Sequence, residues 1–226
     1  MARGISISGS IFGDTGAMAE SFSILGRGRA GQSLSEAWGP RARLLSHEAE
    51  PEGAVLLAVP DDAIAAMAAR FPGRCAHLSG SLIIEGVPSL HPLTSFDGRT
   101  ADWNGTPLAV TGAAPMALVE AFRDLGFMPF DLPPHLKALY HACAVLSSGH
   151  EATLWLGAAR MMAEQGVAMP GRGFLPLAEA TLRNIEVHGA SGRTGPFIRG
   201  DEGTIQRDAA ALPEAWREIF LKLGRL

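Results

Sequence analysis

The sequence predicts an α/β protein: a parallel sheet in an N-terminal domain, followed by a second, all-helical domain. Three observations predict it. Strand-sized apolar runs alternate with helical stretches from Phe22 to Phe130, the pattern of a parallel sheet with crossover helices. A glycine-rich turn, Gly26-Arg27-Gly28-Arg29-Ala30-Gly31, joins the first strand to the first helix. After Pro133 and Pro134 the strand pattern stops, and a helical stretch runs to Gln165 with only Gly149 and Gly157 as breakers. The expected organisation is a flexible N-terminal extension over 1–18, a sheet domain over 19–132 and a helical domain over 133–226.

The elements follow in order. Residues 1–18 are rich in Gly, Ser and Ala. They read as an extension rather than a signal peptide, because Ser8, Gly9 and Ser10 interrupt the apolar centre that a signal needs. Met18 is an alternative start. Phe22 to Leu25 reads as a strand, Ala30 to Trp38 as a helix stopped by Gly39 and Pro40, and Ala42 to Leu45 as a second strand. Ala54 to Val59 is uniformly apolar, as a strand covered on both faces would be. Asp61 is placed to cap a helix over Asp62 to Arg70. Cys75 to Ser79, Val87 to Leu93 and Pro107 to Thr111 read as strands, and Met116 to Leu125 as an amphipathic helix. Further helices are expected around Pro176 to Val187 and Glu214 to Leu223.

Composition narrows the function. Apolar residues make up 47% of the 226 and charged residues 19%, enough for a packed core. Nineteen basic against twenty-three acidic residues give a net charge of −4, which argues against a dedicated nucleic-acid binder. Two cysteines, Cys75 and Cys143, are too few for a disulfide scaffold and fit a reducing compartment. No apolar run approaches the roughly 18 residues of a membrane span. The expectation is a cytoplasmic protein acting on a small molecule, with neither nucleic acid nor membrane as partner.

The glycine turn has the spacing G-x-G-x-x-G between strand and helix, the context of a dinucleotide-binding turn. In that reading Gly26 allows the tight turn, Gly28 lets backbone approach a pyrophosphate, and Gly31 lets helix pack on strand. The helix N-terminus offers unpaired N–H groups, and Arg27 and Arg29 add charge. The alternative is a strand-to-helix turn that holds no ligand. An acidic ribose reader belongs about 20 residues on. Glu48 stands there and would favour NAD. Ser46 and His47, with Arg41 and Arg43 upstream, would favour the 2′-phosphate of NADP. Val59-Pro60-Asp61 and Ser79-Gly80 follow strands, where ligands sit in open α/β sheets. Asp61 is equally well explained as a helix cap.

Lys137 and His141 are four residues apart on the predicted long helix and so share a face. A lysine ammonium can protonate the atom that gains charge when a carbonyl or imine accepts hydride. Histidine can orient the substrate. His91, near the end of a strand, would face the same crevice; an edge histidine satisfied by its neighbours is the plainer reading. Ser191 to Asp201 combines turn formers with charge, a long loop in which Arg199 could grip a carboxylate in a bidentate fork. An Arg199–Asp201 surface pair is the alternative. His47, His77, His135 and His188 show no metal-ligand spacing, so no metal site is expected.

Together these residues resemble the Rossmann-like oxidoreductases that carry a helical C-terminal domain of unknown function, in the 6-phosphogluconate dehydrogenase-like superfamily. The resemblance covers Phe22 to Leu212. It rests on the glycine turn, on A-V-P-D-D at Ala58 to Asp62, H-L-S-G at His77 to Gly80 and H-P-L at His91 to Leu93, and most specifically on K-x-L-Y-H at Lys137 to His141 and T-G-P-x-x-R-G-D at Thr194 to Asp201. It implies an NADP-binding domain, with NAD possible, and a helical domain that builds a homodimer. Its members look similar to pyrroline-5-carboxylate reductase and ketopantoate reductase, which reduce C=N or C=O bonds. By resemblance Lys137 matches a catalytic lysine, and His141 stands where asparagine is usual. The His91-Pro92 pair is similar to one in prephenate dehydrogenases, and Thr194, Gly195, Arg199 and Asp201 are expected to hold substrate. The region between Gly31 and Ala54 is short for a second β–α unit. The expected activity is hydride transfer between a nicotinamide cofactor and a small keto or imino acid. The rivals are a non-catalytic dinucleotide sensor and a ligand-free dimeric scaffold.

Overall fold

The computed structural model describes residues 21–46 and 48–226. The N-terminal extension, Met18 and His47 lie outside them. The chain forms two compact units that meet between Ser147 and Ser148.

The first unit is built on seven strands in the order β2-β1-β3-β4-β5-β6-β7. The sheet begins with β1 (Phe22–Leu25), α1 (Arg29–Trp38) and β2 (Ala42–Leu45). Next come β3 (Val55–Leu57), α2 (Asp61–Ala68), β4 (Cys75–His77) and β5 (Ser89–Pro92). It closes with β6 (Pro107–Thr111), α3 (Met116–Asp124) and β7 (Met128–Asp131). The first five strands are parallel, as are β6 and β7. The β5–β6 pair is antiparallel, a departure from the uniformly parallel expectation. Its cause is local: no helix lies in the β5–β6 connection, so the chain returns alongside itself instead of crossing over.

Alternation along the strands divides the core between two faces. Phe22, Ile24, Leu56, Ala76 and Leu90 pack with Leu34 and Trp38 of α1 and with Leu118 and Phe122 of α3. Trp38 sits edge-on to Phe22 and Phe122 and donates its indole N–H to the Ala121 carbonyl at 2.7 Å. Leu25, Val55, Leu57 and Cys75 pack on the other face with Ile64 and Ala68 of α2. Ser89 and His91 alternate with Leu90 and therefore belong to this second face.

Several boundaries differ from expectation. Pro60, not Asp61, is the N-cap of α2, and Asp61 lies in the first turn. β7 was not foreseen; Pro129 and its exposed residues hide it as an edge strand. The helical stretch after Pro133 divides into a 3₁₀ turn (Pro134–Leu136), α4 (Lys137–Val145), a π-helical segment (Leu146–His150) and α5 (Glu151–Glu164). Ser147, Ser148 and Gly149, weak helix formers, occupy the π segment. Through α4, residues beyond Leu132 join the sheet unit.

The second unit contains α5, α6 (Leu175–His188), α7 (Pro196–Arg199), α8 (Glu202–Ala211) and α9 (Glu214–Gly224). The stretch from Ser191 to Asp201, expected as one long loop, holds the short α7, and α8 follows it unforeseen. A Cβ on Gly157 would strike the Trp216 ring, and one on Gly224 the Phe197 ring, so α9 lies close against α5 and α7.

Candidate active site

The glycine turn sits where the strand order reverses. The chain leaves β1 toward β2 on one side and returns to β3 on the other, which opens a crevice beyond the carboxyl ends of β1 and β3. The three glycines there do different work. Gly26 has φ +118°, and a Cβ on it would strike the Ala58 carbonyl and lie 3.2 Å from Val59. A Cβ on Gly31, buried in α1, would strike the Gly26 carbonyl. Gly28 is exposed, and its Cβ direction is open space. It has φ −69°, a backbone that any residue adopts. Two glycines are thus required by packing, and among the described residues nothing requires Gly28.

The first turn of α1 contains no acidic residue, and Gly28 supplies no side-chain cap. Among the described residues its first N–H groups thus have no capping side chain. The Gln32 amide fixes the turn by donating to the Arg27 carbonyl at 2.8 Å. Arg27 and Arg29 are exposed beside it and Ala30 is half-buried. These features fit a pyrophosphate, an anion that approaches backbone closely. Ser46 is exposed just past β2; the preceding Leu45 carbonyl accepts from Gly26 N–H. Arg41 and Arg43 are engaged elsewhere, with Asp124 at 2.7 Å and Glu52 at 3.0 Å. Among the described residues no helix lies between β2 and β3.

A second group of residues gathers beyond β4 and β5. His77 pairs with Ser89 in register, which brings Ser79 and Gly80, just past β4, to the level of His91. Lys137, in the first turn of α4, is 1% exposed. Its ammonium donates to the Ser79 carbonyl at 2.7 Å and to the Ser89 hydroxyl. Burial pushes its pKa down to about 8, against an opposing pull from Asp61. Asp61 accepts from the Ser79 hydroxyl at 2.8 Å. Its carboxylate therefore ties the start of α2 to the Ser79 turn, which answers the helix-cap reading of its side chain.

One turn further along α4, His141 faces His91, with ring centroids 6.0 Å apart. A Cβ on Gly80 would collide with both rings, 2.7 Å from the Nε2 of His91. Only glycine lets both imidazoles close over this turn. Burial first, then the charges of His141 and Lys137, push His91 down to about 4, so His91 is neutral at pH 7. Its Nδ1 shares a hydrogen bond with the Tyr140 hydroxyl at 3.0 Å. Burial raises Tyr140 to about 12, so that hydroxyl keeps its proton.

The predicted residues of the first unit thus form two groups, the glycine turn with Val59 and Pro60, and Lys137 with Ser79, Gly80, His91 and His141. Asp61, beside Pro60, reaches the second group through Ser79. Sequence reasoning missed Ser89, His77 and Tyr140. Tyr140 is the chain's single tyrosine and lies inside a quoted motif, which was the available signal.

In the second unit, Asp201 caps α8 by accepting from the Thr204 N–H at 3.0 Å. Gly195, at φ +105°, precedes α7. Thr194 and Arg199 are exposed. Among the described residues Arg199 forms no ion pair.

The model of a family described as a domain of unknown function, DUF2520, matches residues 106–226, just over half of the chain. The chain belongs to the DUF2520 family. Comparison with curated proteins gives no match. Among solved structures, the chain is similar to BF3122 of Bacteroides fragilis, named as a proposed NADP oxidoreductase. The identity is 18%, the TM-score 0.73, and the match covers 92% of this chain and 98% of that one. TM1727 of Thermotoga maritima is 20% identical at a TM-score of 0.68, with 90% and 96% covered. An imine reductase of Bacillus cereus is 13% identical at a TM-score of 0.50, with 91% and 92% covered. At these identities the likeness establishes the fold, a Rossmann-like α/β unit with an accompanying helical part. The DUF2520 match takes in α4 and hence Lys137, Tyr140 and His141, whereas the glycine turn lies ahead of it.

Proposed function

We propose that this DUF2520 protein is an NAD(P)-dependent oxidoreductase acting on a small keto or imino acid. The observation that carries the reading is Gly28, exposed and, among the described residues, free of any packing demand and set at a helix start that no side chain caps. The buried Lys137 at a strand-end turn supports it. So does likeness in fold to proteins named as an NADP oxidoreductase and an imine reductase.

The turn from Gly26 to Gly31 and α1 would hold the pyrophosphate, and Val59, Pro60, Ser79 and Gly80 would border the nicotinamide. When bound, the cofactor supplies or accepts the hydride. Lys137 holds a proton at Nζ, fixed by the Ser79 carbonyl and the Ser89 hydroxyl, for the oxygen or nitrogen that gains charge. With its pKa lowered to about 8, it can give that proton near neutral pH and retrieve it in the reverse direction. His91, neutral and held by Tyr140, and His141 orient the substrate. Arg199 and Thr194 are the second unit's candidates for a substrate carboxylate. NADP is the favoured cofactor, through Ser46 and His47, and NAD through Glu48 is the alternative.

The helices of the second unit support a homodimer. No residue of α5, α6 or α9 is buried, and Leu156 and Val187 are 73% and 72% exposed. Apolar surface on this scale marks an interface.

The test is NADPH and NADH oxidation against a panel of small 2-keto and cyclic imino acids. Turnover with at least one is expected, and Lys137→Met should lower it by about 10²–10⁴-fold with cofactor affinity unchanged. Cofactor binding without turnover on any substrate would favour the sensor reading, which the missing helix between β2 and β3 also motivates.

A further inference from the structure

Beside Lys137, on the face of the sheet away from α1, lies a pocket of about 300 Å³. That is the lower end of ligand-pocket sizes. The loop from Leu82 to Pro88 walls it with Leu82, Ile83, Ile84 and Val87, and Pro134 faces them. Two nearly buried polar side chains, His77 and Ser89, also line it. The Ser89 oxygen already accepts from Lys137. Among the described residues its own hydrogen has no acceptor. The Nδ1 of His77 accepts from the Ser79 N–H at 3.2 Å, which leaves the ring proton on Nε2. His77 is also pushed down to about 4 by burial, so the ring is a neutral donor. The pocket therefore offers two uncommitted donors, with an ammonium directly behind one of them.

That ammonium feels the charge of Asp61 without pairing with it. Lys137 is 1% exposed, yet both its partners are neutral, a carbonyl and a hydroxyl. Among the described residues no carboxylate forms an ion pair with it. Asp61 acts on it only through space, its carboxylate being hydrogen-bonded to the Ser79 hydroxyl, and Glu85, the one acid of the pocket lining, is exposed. Buried charges are ordinarily paired.

We propose that this pocket binds a small apolar monocarboxylate, its carboxylate on Ser89 and His77 and its hydrocarbon against Leu82, Ile83, Ile84 and Val87. The anion brings a second negative charge to Lys137, one hydroxyl away through Ser89. The site is separate from the glycine turn and does not depend on the nucleotide reading.

The test uses the full chain without nucleotide, titrated with isovalerate while the His77 ring signals are followed by NMR. A saturable shift at His77 is expected. The neutral isostere isovaleramide should bind at least tenfold more weakly. Ser89→Ala should weaken isovalerate at least tenfold. Ala113→Trp, at an exposed lining position, should block binding without touching the buried groups, which keeps the test decisive if Ser89→Ala fails to fold. No saturable shift at His77, equal binding of acid and amide, or full binding by Ala113→Trp would each overturn the proposal. Because no nucleotide is present, failure here leaves the oxidoreductase reading standing, and the reverse holds as well.

Discussion

Lys137 is the residue on which most of the chemistry turns, and its titration can be predicted with its sign. Burial lowers its pKa from an ordinary 10.5 to about 8, so the unfolded chain binds this proton more tightly than the folded one. The group therefore opposes folding fully below about pH 8. That cost fades as pH rises and is gone above its ordinary value. Lys137→Met is expected to melt at or above the wild type at pH 7. Between about pH 8 and 10 the balance should move toward the wild type, by at most about 1.4 kcal/mol per pH unit. Thermal melts of both proteins across that range check this; parallel curves would place Lys137 in a solvated setting. Reduction by the wild type should fall above about pH 8 as the same proton is lost. The sequence made Lys137, His141 and His91 legible as candidates through helical spacing and a strand end. It could not reveal Ser89, because the Lys137–Ser89 bond joins positions 48 residues apart. Asp201, expected as a substrate ligand, carries a capping role for α8 that the sequence reading had not assigned to it.

At the scale of elements, the strands of the two-faced core were the most legible. Continuous apolar runs such as Phe22 to Leu25 and Val55 to Leu57 have few other uses. Edge and terminal pieces were not. β7 carries Pro129 and three exposed residues, and α7 is a single turn after Pro196, so neither leaves a periodic signal. The strand-to-helix turn gives the sharpest element-level prediction. Gly31→Ala forces a Cβ into the Gly26 carbonyl and should destabilise the protein by roughly 1–3 kcal/mol, read as a lower Tm. A Cβ on Gly28 meets nothing among the described residues, and Gly28→Val should fold as the wild type does. A turn that served packing alone would not separate its glycines in this way.

For the whole molecule, the two units differ in how they bury their residues. The sheet unit has a dense core on both faces, while no residue of α5, α6 or α9 is fully buried and the helical unit's buried hydrophobics are Ile205 and Ala209 of α8. A small helical unit that buries so few apolar side chains is marginal as a monomer. Sedimentation equilibrium is expected to give a dimer, and the paired changes Leu156→Glu and Leu177→Glu to give monomer with a lower Tm; a wild-type monomer would remove the dimer from the account. The helical half was legible as helix but not as a unit boundary, because α4 carries the helical pattern while its Lys137 is bonded to the sheet unit. The central claim is that the glycine turn holds a dinucleotide. Calorimetric titration of NADPH and NADH into wild type and Gly28→Val tests it most directly. Binding of at least one nucleotide by the wild type is expected, with at least tenfold weaker binding by Gly28→Val at unchanged Tm. Equal binding by both proteins, or none by the wild type, would contradict it.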